Sequence, residues 1–292
     1  MYTTREECYE ARKKGRFTLE NASEELRGDK EIVIMAVDAN FSEMRFASEE
    51  LKRDREFVLE VVKNVGKALG FVSDELRADK EVVLEAIKDD PMALGYASDD
   101  LRADKDVVLE AVKKNGFVFG YASQELINDR DFVLKAASIG GQVIASVSDE
   151  FKNDREIVMT AVRQNGCVLK FAGEKLKSDE EIVLAAVNQN GYAYKYANED
   201  MRNNKRVILA AISNQAKPVN FTEEQFRELN NDFKLIYYYG KGKLELVVLK
   251  ELISPEDKLA WDAINKITAY KEEQKRKRRE KKYVGGGLYR GL

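Results

Sequence analysis

The sequence lacks histidine altogether and has only three prolines among its 292 residues. The missing histidine removes the commonest general base, the usual zinc ligand and the side chain whose charge changes near neutral pH. Catalysis would have to use carboxylate, lysine, tyrosine or cysteine side chains, and none of these forms a recognisable constellation. We therefore expect a protein that is not an enzyme and that binds no cofactor or metal ion.

Cysteine and long apolar stretches are also scarce. Cys8 and Cys167 lie far apart without CxxC spacing, which favours two reduced thiols, one of them buried, over a disulfide or a metal site. No uninterrupted apolar stretch is long enough to span a bilayer, and the N-terminus lacks the apolar run of a signal peptide. We expect a soluble intracellular protein without membrane insertion, either in the cytoplasm or within a large assembly such as a viral particle.

The chain is organised around a repeat of 25 residues, best represented by the stretch from Ala97 to Gly116, ASDDLRADKDVVLEAVKKNG. We count positions in each repeat from an anchor residue, which is Asp104 in this copy. A period of this kind predicts a body in which each repeat packs mainly against its neighbours. The anchors are Thr4, Asp29, Asp54, Asp79, Asp104, Asp129, Asp154, Asp179 and Asn204.

The residues after each anchor have the pattern of a helix. Apolar residues at +3, +4, +5, +7 and +8, from Val107 to Val112 in the central copy, predict a wide buried face. The anchor should cap this helix, so we expect Asp104→Ala to lower thermal stability without abolishing a partner interaction. Asn115 and Gly116 are expected to end the helix in left-handed geometry.

A second, shorter helix is predicted from an apolar residue at +15, a ring at +17 and alanine at +18. Serine at +19 can cap the acidic turn that follows. A pair this small cannot bury its own apolar face, so we predict an all-α fold, an α-solenoid of about eight or nine two-helix repeats with a helical C-terminal extension. A leucine-rich repeat has a similar length, but the helical caps, and Glu and Ala in its would-be strand, disfavour it.

The array weakens at Asn204 and fades between Phe221 and Phe226. We therefore predict a repeat array at 1–226, a helical extension at 227–270, and a basic helix end with a flexible glycine-rich tail at 271–292. Within the extension, one helix is expected through 226–239. Ser254, followed by proline, is expected to start another helix that runs past Trp261.

The pattern ASxELRxDKxVVLxAVxxNGxALxYAS resembles the repeat family known as domain of unknown function 4116, most clearly from Val72 to Ser123. The resemblance covers residues 4 to 226 and implies a helical repeat array of the kind found in microbial eukaryotes, bacteria and large DNA viruses. It implies no catalytic activity. Departures from the pattern, such as Ser146 at a ring position and Gly173 at a serine position, predict local irregularity, chiefly between Ser138 and Phe151.

Two positions of the repeat differ from copy to copy while the rest of the pattern is kept. A surface that recognises a specific partner requires such variation. The two positions are our candidates for a shallow groove that binds an extended or helical peptide. The alternative is that the glycines found at +16 in other copies only allow close packing between repeats. The candidates are Met92, Phe117, Gln142, Cys167 and Tyr192 at +13, and Lys170 and Lys195 at +16.

Charged residues form further ladders. Acidic residues at −4 and basic residues at −2 are interpreted as a solvated face of alternating charge, and not as a cation-binding or catalytic site. Residues 271–282 carry eight positive and three negative charges, so this stretch is +5 while the remainder of a chain of net charge −3 is −8. The stretch could bind nucleic acid or an acidic protein surface. Its candidate residues are Lys271, Lys275, Arg276, Lys277, Arg278, Arg279, Lys281 and Lys282.

These features favour a non-enzymatic scaffold or structural component whose partners are other proteins of an assembly. The alternative is a nucleic-acid-associated adaptor that uses the basic C-terminal segment.

Overall fold

Each repeat is built on an α-helix that begins directly after its anchor, and we refer to it as the anchor helix. The computed structural model describes residues 1–214, 231–241, 246 and 253–285. Asp104 caps its helix as expected, because its side chain accepts hydrogen bonds from the amides of Asp106 at 2.9 Å and Val107 at 3.2 Å. The anchor helices are Arg5–Lys13, Lys30–Ala39, Arg55–Val62, Lys80–Asp89, Lys105–Lys114, Arg130–Ile139, Arg155–Gln164, Glu180–Gln189 and Lys205–Ser213.

The predicted left-handed end of the anchor helix is wrong. Asn115 is extended, with φ −153°, and among the described residues only Gly15 has a positive φ, of 64°. The Asn115 side chain instead accepts a hydrogen bond from the amide of Phe117 at 3.1 Å and begins a second helix. Asparagine at this position is therefore a cap of the next element.

The second predicted helix is divided into a 3-10 helix and a short α-helix. The division lies at the serine of position +19, because the Ser123 amide donates to the carbonyl of Arg102 in the preceding repeat at 2.8 Å. That bond takes the amide that a continuous helix would use, while the Ser123 side chain caps the amide of Leu126 at 3.3 Å. The 3-10 helices are Leu19–Asn21, Phe41–Phe46, Gly66–Phe71, Pro91–Tyr96, Gly116–Tyr121, Gly141–Ser146, Gly166–Phe171 and Gly191–Tyr196. The short helices are Glu24–Arg27, Glu49–Arg53, Asp74–Arg77, Asp99–Arg102, Gln124–Asn128, Asp149–Lys152, Glu174–Lys177 and Glu199–Asn203.

The hydrophobic core extends along the repeats and is formed by residues of the anchor helices and of the 3-10 helices. The anchor helices contribute positions +3, +4, +7 and +8, and the 3-10 helices contribute positions +14 and +15, such as Val118 and Phe119. Position +5 is only half-buried in several copies, for example at Leu84 and Leu134. The buried face is thus narrower than predicted.

The fold is an all-α repeat solenoid, and no strand occurs in the ranges described above. The chain divides into two units, Met1–Ser148 and Asp149–Leu292, and in each unit neighbouring repeats pack through their anchor helices and 3-10 helices. None of the described helices is both long and apolar enough to cross a membrane.

The departures from the repeat pattern between Ser138 and Ser146 leave the order of elements unchanged. An anchor helix ends at Ile139 and a 3-10 helix begins at Gly141, as in the other copies. Gly173 lacks a capping side chain, but its amide still donates to the carbonyl of Lys152 at 2.8 Å. The short helix therefore forms because the backbone bond between repeats is kept.

Two further helices follow the repeats, Asn231–Gly240 and Lys258–Gly285. The predicted start at Ser254 is wrong by three residues, because the Asp257 side chain accepts from the amide of Ala260 at 3.1 Å and caps the helix. The predicted array boundary at 226, most of 242–252 and the glycine-rich tail at 286–292 lie outside the described residues.

Candidate interaction surfaces

A ladder of ion pairs joins neighbouring repeats along the anchor helices. The basic residue at +1 of one repeat reaches the anchor carboxylate of the next, so that the anchor both caps a helix and pairs between repeats. The sequence shows a basic residue at +1 in eight of nine copies, but the pattern alone does not reveal its partner. The pairs include Lys30–Asp54 at 2.5 Å, Arg55–Asp79 at 2.7 Å, Lys80–Asp104 at 2.6 Å, Lys105–Asp129 at 2.9 Å and, in the second unit, Arg155–Asp179 at 3.2 Å.

These pairs affect the acidity of the anchors. The Lys30 ammonium lowers the pKa of Asp54, and the Arg55 guanidinium lowers the pKa of Asp79. Arg55 also reaches Glu81 at 2.5 Å, because its planar fork can serve two carboxylates where lysine serves one. The ladder therefore stabilises the ionised form of these two anchors.

The same pair is repeated where the array ends. Lys205, at +1 of the last repeat, contacts Asp257 at 2.7 Å. Asp257 is the cap of the C-terminal helix Lys258–Gly285, which packs on the last anchor helix through buried residues such as Ile264 and Ile267. This helix and the helix Asn231–Gly240 both pack against Lys205–Ser213, so in the described part of the chain they take the place of a next repeat.

We expect Asp104→Ala to lower the free energy of unfolding by about 1 kcal/mol, because it removes the cap. Asp104→Asn should lose less, since asparagine caps equally well. Asn204 caps the anchor helix Lys205–Ser213 in this way, because its side chain accepts a hydrogen bond from the amide of Arg206 at 2.8 Å. Urea unfolding of the wild type and both variants measures the difference, and equal losses in the two variants would contradict the capping role.

The asparagine variant also isolates the charge. Burial opposes ionisation of Asp104, but the Lys80 ammonium and two backbone amides outweigh it and hold its pKa below the ordinary value of 3.8. A lowered pKa stabilises the fold above the unfolded-state value, and this contribution disappears as the pH falls through the folded-state pKa. The stability difference between wild type and Asp104→Asn should therefore shrink from about pH 5 to below pH 3.

The short helices carry the predicted acidic and basic ladders, but the pairing differs from sequence expectation. The basic residue at −2 pairs with the acid at −5 of its own turn, as in Lys52–Glu49 at 2.8 Å and Lys177–Glu174 at 2.8 Å. The acids at −4 are exposed. No group of acidic or cysteine side chains in the described ranges could hold a metal ion.

The candidate residues at +13 lie on the outer side of the 3-10 helices. The side chain at +11 caps most of these helices by accepting a hydrogen bond from the amide at +13. The Met92 amide donates to Asp90 at 2.8 Å and the Tyr192 amide to Asn190 at 3.1 Å. Phe117 is 49% exposed and Tyr192 is 40% exposed. Tyr121, the ring at +17 in the same 3-10 helix as Phe117, is 36% exposed. Met92, Gln142 and Cys167 are half-buried. We call this surface, formed by positions +13, +16 and +17, the 3-10 strip.

The glycines at +16 are explained by packing between repeats. A Cβ atom at Gly70 would lie 2.9 Å from the ring of Tyr96, and one at Gly95 would lie 3.1 Å from the ring of Tyr121. In these two copies the ring at +17 of the following repeat thus rests on a glycine of the preceding one, whereas Gly120 faces Ser146. The glycines do not by themselves indicate a groove.

Shallow depressions nevertheless lie beside two of these glycines in the first unit. One of about 370 Å³ is bordered by Lys52, Gly70 and Arg77, and one of about 320 Å³ by Arg77, Gly95 and Arg102. The +13 residues do not line either depression. The residues at +13 and the residues at +16 therefore lie in adjacent parts of the strip.

In the second unit the strip combines cations with rings. The Lys195 ammonium lies 3.8 Å from the ring centroid of Tyr192 and 4.8 Å from that of Tyr196. Lys170 lies 4.5 Å from the centroid of Phe171. A hydrogen bond with Tyr192 raises the pKa of Lys195, so the ammonium stays charged. This part of the strip therefore carries positive charge on an aromatic base.

The candidate basic residues lie where the C-terminal helix loses its burial. Lys271 is half-buried, and burial together with the charge of Lys275 lowers its pKa. Beyond it, residues 275–280 are all exposed. Lys277 pairs with Glu273 at 2.6 Å and Arg276 approaches Glu280 at 3.7 Å. Lys281 and Lys282 continue the helix, but their side chains lie outside the described part.

The thiols agree with the sequence prediction. Cys8 is buried, Cys167 is half-buried, and neither forms a disulfide. Burial raises the pKa of Cys8, which disfavours its reactive thiolate form.

A comparison with known families matches most of the array. The model of a domain of unknown function (DUF4116) matches residues 8–52, 29–77, 54–102, 79–127, 104–147, 129–177 and 179–227. The chain belongs to the DUF4116 family. No curated protein and no solved structure matches it.

The DUF4116 matches end at residue 227, so the helix Lys258–Gly285 lies beyond the family's repeat. The family repeat accounts for the anchors, the caps and the rings of the 3-10 strip. The basic end of the chain is an addition to the array.

Proposed function

We propose that this DUF4116 chain is a non-enzymatic scaffold that binds other proteins of an assembly through its 3-10 strip. The observation that carries the proposal is the exposure of aromatic rings on a rigid frame. Phe117, Tyr121 and Tyr192 are three of the six most exposed large hydrophobic residues in the part of the chain that the structure describes. Aromatic residues are enriched in protein interfaces because they bury a large area at a low entropic cost.

The chemistry of the strip varies from copy to copy and would favour different partner segments. Cations lie over rings in both units, since Arg45 in the first unit lies 5.5 Å from the ring centroids of Phe46 and Phe71. In the first unit, Phe117 and Tyr121 offer an apolar surface next to the depressions beside Gly70 and Gly95. In the second unit, Lys195 covers a pair of rings and favours a partner with carboxylates. A scaffold with two such regions can bind two different proteins.

The test compares single variants of the full chain in affinity purification with quantitative mass spectrometry. We expect Phe117→Ser or Tyr192→Ser to lower the amount of specific co-purifying proteins several-fold, because each substitution removes an exposed ring from the strip. Leu259→Ser is the matched control, since Leu259 is 42% exposed but lies on the C-terminal helix. Melting temperatures close to that of the wild type would show that the variants fold.

Photo-crosslinking then locates the contact. A crosslinker at position 117 should capture the same proteins that Phe117→Ser loses, and one at the exposed Glu125 of the following short helix should not. An identical set of partners for the wild type and both strip variants would contradict the proposal.

A further inference from the structure

We propose that the exposed end of the C-terminal helix binds the phosphate backbone of nucleic acid through one helix face. This face is formed by Lys275, Arg278 and Arg279, and we call it the basic stripe. Residues that are three and four positions apart on a helix are neighbours, so the three cations project from the same side. All three are exposed, and none of them forms an ion pair in the described part of the chain.

The two acids of the segment that form ion pairs lie on the other side of the helix. Glu273 and Glu280 lie away from the basic stripe and contact Lys277 and Arg276, respectively. Glu272 lies at the edge of the stripe and is not among these contacts. The ion pairs of this segment that the structure describes thus lie away from the basic stripe, which composition alone does not require.

Nucleic acid is the partner that this chemistry fits best. A duplex carries about one negative charge per 1.7 Å of its axis, a density that protein surfaces rarely reach because their carboxylates have cations nearby. The acids of this chain at −5 illustrate the point, since Glu49 and Glu174 are paired within their own turns. Lipid insertion is disfavoured, because residues 271–282 include no apolar side chain.

The negative charge of the array does not prevent this contact. The helix rises about 1.5 Å per residue, so Arg279 lies about 7.5 Å beyond Gln274, the last half-buried residue before the exposed end. The Debye length at physiological ionic strength is about 8 Å. Salt therefore weakens repulsion from the array at the outer part of the stripe.

The experiment measures binding of the full chain to a labelled mixed-sequence DNA duplex by fluorescence anisotropy at several salt concentrations. The test variant is Arg278→Gln with Arg279→Gln, and the matched control is Arg276→Gln with Lys277→Gln. Both remove two positive charges from adjacent positions, and glutamine preserves helix propensity. Circular dichroism checks that helix content is unchanged.

We expect the wild type to bind with an affinity that falls steeply with salt. The stripe variant should bind about tenfold more weakly at physiological salt, and its slope of log affinity against log salt should be shallower by about 1.8. The control should retain most of the affinity. Equal losses of affinity in both variants would mean that the total positive charge of the segment, and not the stripe, attracts the DNA. Absence of duplex binding at low salt, with binding to anionic vesicles or self-association by sedimentation instead, would overturn the proposal.

Discussion

Phe119→Ala is expected to lower the free energy of unfolding by about 3–5 kcal/mol. Phe119 is fully buried at position +15 of its 3-10 helix, and its ring lies 6.1 Å from that of Phe132 in the next anchor helix. Truncation removes the apolar contact area and leaves a cavity that two neighbouring repeats line. The cost is large because a 3-10 helix held at both ends by caps cannot collapse into the space.

Two matched variants sharpen this test. Phe117→Ala removes the same ring two residues earlier on the same helix, but Phe117 is 49% exposed, so we expect a loss below about 1 kcal/mol. Phe119→Leu should lose less than about 1.5 kcal/mol, because leucine fills the equivalent position at Leu94 and Leu169. Urea unfolding gives all three values. Similar losses for Phe117→Ala and Phe119→Ala would contradict the division into an outer strip and an inner core.

The pair also separates stability from function. Phe119→Ala should weaken every activity of the chain through loss of folded protein, whereas Phe117→Ala should affect only the contacts made by the 3-10 strip. A purification in which both variants lose the same partners, with only Phe119→Ala unstable, would support the strip as the binding surface.

The sequence predicts the anchor helices well because their determinants are local. A cap at the anchor and apolar residues at helical spacing specify each anchor helix without reference to the rest of the chain. The serine cap at +19 was also predicted for the same reason. The repeat pattern predicts the all-α solenoid and the resemblance to the repeat family supports it, and both the helices observed and the family match confirm this fold class.

The features that the sequence did not reveal depend on contacts between repeats. The Ser123 amide bonds to Arg102 in the preceding repeat where the second helix divides, and the local sequence indicates the serine cap but not this bond. Within the array the partner of a basic residue at +1 lies 24 residues later, as in Lys80 and Asp104, beyond the reach of a helical pattern. Whether the +13 and basic-stripe residues bind partners stays a prediction, since exposure shows only that they are accessible.

The glycine at position +12 is the clearest case, because local reasoning assigned it the wrong role. It was expected to adopt left-handed geometry, but Gly166 has an ordinary backbone and instead lies against the next repeat. A Cβ atom there would be 2.1 Å from the carbonyl oxygen of Ala186, and one at Gly66 would be 2.3 Å from that of Ala86. Glycine is needed for close approach and not for conformational freedom.

Gly166→Ala is therefore expected to lower the free energy of unfolding by about 3 kcal/mol, at the upper end of the usual cost of overpacking. The opposing atom belongs to the backbone, so no side-chain rotation can relieve the contact and the two repeats must separate. Separation also disturbs the bond from the Gly166 amide to Gln189 at 2.7 Å and the return bond from Gln189 to the carbonyl of Gln164 at 3.1 Å.

Gly28→Ala provides the control in which the same substitution should stabilise the protein by about 0.4–1 kcal/mol. Gly28 has right-handed helical geometry, and a Cβ atom there would meet its closest neighbour at an ordinary 3.4 Å. Ala78 and Ala103 already occupy the equivalent position in other repeats. Opposite signs for the two substitutions in urea unfolding, with faster amide hydrogen exchange around Gln189 only in Gly166→Ala, are the expected result. Equal effects would mean that the repeats can move apart without cost, and the close contact at +12 would then not be what fixes their spacing.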